Sequence, residues 1–85
     1  MLSEAAARSR ACDIANQHLA GKTISTRSKG SFVPPQIEPG FWLLVERREG
    51  RWRLSHDAPS GFFIAVSFAD DGSDPKVERV GYADV

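Results

Sequence analysis

Cysteine is nearly absent from this 85-residue chain: Cys12 stands alone, so no disulfide can form within it. Paired cysteines and zinc-type Cys/His spacings are missing as well, which suits a reducing, cytoplasmic setting. Long apolar runs are equally scarce. The longest, Phe41 to Val45 and Phe62 to Val66, fall far short of the roughly 20 residues that cross a bilayer. Met1 to Ala20 carries Glu4, Arg8, Arg10 and Asp13 among its alanines and lacks the apolar stretch of a signal peptide, so no membrane association is expected. There is no surplus of charge either: eleven Lys+Arg balance eleven Asp+Glu, which argues against a duplex nucleic-acid binder. With no G-x-G-x-x-G, no P-loop and no metal motif, no cofactor is expected. A chain of this size buries only about 60 to 65% of its unfolded surface, leaving little material for a deep pocket. Residues 1–85 therefore read as one domain, and as a small binding domain before an enzyme.

What the sequence does contain is clear periodicity. Ser3 can cap a helix whose first turn holds Glu4, and no Gly or Pro interrupts the chain until Gly21, so one helix is predicted over Glu4 to Ala20. Ala7, Ala11, Ile14, Ala15, His18 and Leu19 recur at spacings of three and four and form its inward stripe. Lys22 to Ser31 is polar, with a short β-prone piece at Thr23 to Thr26. Pro34, Pro35 and Pro39 make Phe32 to Gly40 an extended connector.

Phe41 to Arg48 and Arg51 to Ser55 read as a hairpin about Glu49-Gly50. A two-residue turn pairs Arg48 with Arg51, Arg47 with Trp52, Glu46 with Arg53 and Val45 with Leu54. That register puts Leu43, Val45, Trp52 and Leu54 on one face and sets Glu46 against Arg53 on the other. A three-residue loop with Gly50 in a bulge is the competing register. Gly61 to Ala69 alternates Phe62, Ile64, Val66 and Phe68 with Phe63, Ala65, Ser67 and Ala69, and its large set should face the helix. After a turn at Asp70 to Pro75, Lys76 to Tyr82 reads as a last strand. The sum is an α+β fold, one N-terminal helix packed on a three- to four-stranded antiparallel sheet.

No constellation points to catalysis. Cys12 and His18 lie about 240° apart around the helix axis and cannot meet within it, and His56-Asp57 is a dipeptide beside which the sequence singles out no nucleophile. Asp70, Asp71 and Asp74 around Gly72 lack the order of a calcium loop and read as a turn. Charge is more informative. Residues 1–53 hold nine basic and five acidic residues, net +4, and residues 54–85 two and six, net −4, which suggests a dipolar molecule. Trp42, Leu44, Arg48, Arg51 and Arg53 are predicted to share one face of the hairpin. Trp and Arg beside an exposed aliphatic residue are typical of protein interfaces, so this patch is the candidate partner-binding site, with Trp42 as its anchor. The same residues could stack on and neutralise single-stranded nucleic acid, or join two copies in a homodimer.

Three stretches carry a resemblance: the helix ending Ile14-Ala15-Asn16-Gln17-His18-Leu19, the Gly40-Phe41-Trp42 opening of a central strand, and the closing hairpin from Val66 to Gly72 with Val77 to Tyr82. Their layout is similar to cystatin-like α+β domains, and among these the chain looks somewhat like small bacterial immunity proteins. A PepSY-type inhibitory domain resembles the same arrangement, and larger cystatin-like relatives hold ligands or active sites between helix and sheet. The resemblance implies a non-catalytic protein that occludes the surface of a partner, a toxin or other bacterial or phage protein. It transfers no individual residue, and the proline-rich segment has no counterpart in it.

Overall fold

Ser3 is extended and its hydroxyl accepts a hydrogen bond from the Ala6 N–H at 3.1 Å, the cap expected from the sequence. In the computed structural model, which describes residues 1–26 and 30–83, α1 then runs Glu4–Leu19. It stops one residue before the predicted end because Ala20 leaves the helical region and Gly21 follows at φ 69°. Ala7, Ala11, Cys12, Ile14, Ala15 and Leu19 are buried, whereas His18 is only partly so; Cys12 takes the place expected of it in the stripe. The polar stretch contributes a two-residue ladder, β1 (Ile24–Ser25) antiparallel to β2 (Ser31–Phe32). The middle of that stretch, residues 27–29, lies outside the described residues.

The remaining strands form one antiparallel sheet in the order β3 (Leu44–Arg48), β4 (Arg51–Asp57), β5 (Phe62–Ala69) and β6 (Lys76–Tyr82). With α1 laid across it, this is the α+β arrangement expected. The hairpin takes the two-residue register, Arg48 opposite Arg51 and Val45 opposite Leu54. Glu49 and Gly50 both have positive φ, 53° and 77°, as a type I′ turn requires, and that turn matches the twist of its strands better than the longer loop. On β5 the large residues Phe62, Ile64, Val66 and Phe68 are essentially inaccessible and face α1. β6 carries one extra residue, Glu78, where the pairing shifts between Ala65 with Arg79 and Val66 with Val77.

The proline-rich connector turns out to be the second cover of the core. Prolines 34, 35 and 39 cannot donate backbone hydrogen bonds, so side chains of α1 do the fastening. Asn16 Oδ1 accepts from the Ile37 N–H at 2.8 Å while its Nδ2 donates to the Ile37 carbonyl at 3.0 Å. Arg8 donates to the carbonyls of Pro39 and Trp42 at 3.0 and 2.8 Å. So held, the segment makes a 3-10 turn at Pro39–Phe41 and drives Ile37 and Trp42 inward. Trp42 is 1% exposed and its indole N–H donates to Cys12 Sγ at 3.4 Å. The 3-10 turn also shortens the first strand: Leu43 lies before β3, falls out of alternation and is 71% exposed instead of facing the core.

Because Trp42 is among the largest fully buried side chains, Trp42→Ala is expected to destabilise the fold by about 3–5 kcal/mol, read as a lower urea midpoint. A variant unfolding at the wild-type midpoint contradicts this placement.

Candidate functional site

One helix can cover only one side of a sheet, and α1 with the connector takes the side bearing Trp52, Leu54, Phe62, Ile64, Val66 and Phe68. The opposite side is the open face. On β5 it presents Phe63, Ala65, Ser67 and Ala69, a row that is small apart from Phe63. Ala65 and Ser67 are nevertheless 1% and 2% exposed. Their cover is arginine. Neighbouring strands are about 4.8 Å apart, so a side chain that crosses β5 must span about 10 Å, which only a long one does. From β4, Arg51 reaches Asp74 at 2.8 Å and the Ser67 hydroxyl at 3.1 Å, and Arg53 reaches Glu78 at 2.8 Å. In the other direction Arg79 of β6 pairs with Asp57 of β4 at 3.0 Å, its guanidinium 4.9 Å from the centre of the Phe63 ring. That ring in turn lies over Gly81, where a Cβ would come within 2.7 Å of it.

These bridges explain why Glu46, although directly opposite Arg53, does not bond it. Ser67 is Arg53's neighbour on the other side and is too small to block the way to Glu78, which the bulge in β6 carries. They also dispose of the expected dipole. Arg47–Asp70, Arg51–Asp74 and Arg53–Glu78 each join a base of the first part of the chain to an acid of the second, so charges separated in sequence are paired in space. Arg47 is bidentate, at 2.7 and 2.6 Å.

The five predicted site residues are therefore divided. Leu44, Arg48, Arg51 and Arg53 do share the open face, with Leu44 50% exposed. Trp42 does not: the 3-10 turn before β3 directs it into the core, and its role as exposed anchor is withdrawn. Asp57, Ser67, Asp74, Glu78 and Arg79 complete the face. The even spacing of small residues along β5 was the one sequence signal that could have pointed to them. Shallow depressions adjoin across this face. One of about 310 Å³ lies between Leu44, Arg53 and Arg79, and one of about 210 Å³ among Glu46, Arg48, Arg51 and Glu78.

Burial pushes the Cys12 thiol up from its ordinary value, against the weaker opposing effect of the Trp42 N–H, so it stays protonated and un-nucleophilic at neutral pH. Among the described residues no group of three or more His, Cys, Asp and Glu could hold a metal ion, and no helix is long and apolar enough to cross a membrane.

The carboxyl groups of Glu78 and Asp70 titrate below their ordinary range, chiefly because Arg53 and Arg47 bond the charged forms. A carboxylate with a lowered folded pKa stabilises the fold above its unfolded pKa, about 4, and that contribution disappears as pH falls through the folded value. The urea midpoint is expected to slip as pH falls below about 6.5, because burial and then Lys22 hold the His18 imidazole below its ordinary value and the unfolded chain takes up that proton first, and to drop further below about 4 as the carboxylates protonate. Glu78→Gln should flatten part of that drop, and an unchanged slope would show that the Arg53 bridge contributes nothing.

Comparison with known proteins finds no matching family model, no matching curated protein and no matching solved structure.

Proposed function

We propose that the chain is a non-enzymatic protein-binding domain of the immunity or inhibitor kind, occluding a partner such as a bacterial or phage toxin with the open face of its sheet. The observation that carries this reading is the asymmetry of cover: one side of the sheet is sealed by α1 and the connector, while among the described residues the other has only side chains over it. That open side combines the half-exposed Leu44 with a guanidinium array and adjoining depressions able to receive protruding side chains. Arg51 and Arg53 are already oriented by Asp74 and Glu78, so a partner's carboxylate meets guanidinium groups with little left to order. The α+β order of elements, on which the resemblance to cystatin-like domains rests, and the reducing, cytoplasmic setting suggested by a lone buried thiol agree with this role.

Two other readings have less support. A single-stranded nucleic-acid binder needs an exposed stacking ring, yet Trp42 and Trp52 are both buried on the helix side. A ligand cavity between helix and sheet would need the space that Trp42, Phe62, Leu54, Ile64 and Phe68 fill.

With the products of neighbouring genes as candidate partners, Leu44→Asp and Arg48→Ala should each weaken capture at least about tenfold while the melting temperature stays within a few degrees of wild type. Full affinity in both folded variants refutes the docking face.

A further inference from the structure

β3 is an edge strand that among the described residues pairs with β4 alone, while the other edge of the sheet, β6, is approached by β1 and by Phe32, whose ring lies 4.9 Å from Tyr82. Its phase follows from the turn. A two-residue loop is closed by a hydrogen-bonded pair, here Arg48 with Arg51, so alternation gives Glu46 and Leu44 inward bonds to β4 as well. Val45 and Arg47 consequently aim their backbone N–H and C=O groups outward, away from the sheet. An edge of this kind is a template for another strand unless its side chains forbid pairing.

The side chains select the partner. On the open face of β3 stand Glu46 and Arg48, both exposed, and among the described residues neither has an ion pair. Their neighbours Arg51, Arg53, Asp57, Glu78 and Arg79 are all paired. An acid and a base two residues apart on one strand are self-complementary. When the strand meets its own copy antiparallel about a two-fold axis through Arg47, each Glu46 stands directly opposite the other copy's Arg48. These are non-hydrogen-bonded positions, where side chains come closest, about 4.5–5.5 Å between Cβ atoms. At the axis the two Arg47 residues exchange both backbone bonds. Their like charges do not oppose the contact, because each guanidinium is already bound by its own Asp70 on the helix side. Leu44 then lies diagonal to the aliphatic stem of the other copy's Arg48.

We infer that the outer edge of β3 binds the β3 edge of a second copy in this register, making a symmetric homodimer with a continuous eight-stranded sheet. The inference shares Arg48 with the proposed docking face but does not rest on it, since a chain that captures its partner as a monomer overturns the dimer and leaves the docking face standing.

Sedimentation equilibrium on the whole chain from low to high micromolar concentration tests it, with circular dichroism to verify each fold. The wild type is expected to rise toward twice the monomer mass. Glu46→Arg and Arg48→Glu should each weaken self-association at least about tenfold, because two attractive cross-strand pairs become repulsive. An equimolar mixture of the two variants should associate again, as should the double variant carrying both changes. A wild type that stays monomeric throughout overturns the inference, and so does association that ignores the charge swaps.

Discussion

A four-stranded sheet has two faces, and the described residues of this chain supply one α-helix to cover them. Everything else in the structure follows from how the second face is managed. β5 is central, bonded along both edges, and its eight residues are almost all shielded from water. On one side it meets alanines and aromatic rings; on the other it meets arginine stems. The small residues at 65, 67 and 69 keep the second layer thin enough for a single guanidinium to cross from β4 to β6. A bulky residue at Ser67 would lift Arg51 and Arg53 away from Asp74 and Glu78 together.

Much of this fold is legible in the residues themselves because it is set by local rules. The capping serine, the uninterrupted alanine-rich run, the positive-φ pair Glu49-Gly50 and the alternation from Phe62 to Phe68 each determine their own element. What escaped was decided by tertiary contacts. Nothing local distinguishes Trp42 at the head of an exposed strand from Trp42 turned inward by a 3-10 turn; Arg8 and Cys12, thirty and more residues away, decide it. Leu43 followed the same fate in reverse. The choice of Glu78 over Glu46 by Arg53 depends on a bulge in β6 that no periodicity reveals.

The candidate site was half legible for the same reason. The clustering of arginines on the first hairpin is plain in the sequence, and the hairpin register places Leu44, Arg48, Arg51 and Arg53 together. The acids that answer them are in the second hairpin, so a charge split of +4 against −4 looks like an external dipole until the two hairpins are laid side by side. Three of the four charges by which each part departs from neutrality are matched pair by pair between the hairpins, and on the strand β3 Glu46 and Arg48 are left without such a partner among the described residues.

The fastening of the connector by Asn16 and Arg8 bears on how this chain can change over time. Those two residues are eight apart on α1, about 12 Å along its axis, and they grip Ile37 at one end and Pro39 and Trp42 at the other. The connector thus runs antiparallel to the helix with its length matched to a helical repeat. Surface connections ordinarily tolerate inserted or deleted residues, but a one-residue change between Ile37 and Trp42 would put one grip or the other out of step. A segment that has the composition of a loop accordingly has the length tolerance of a strand.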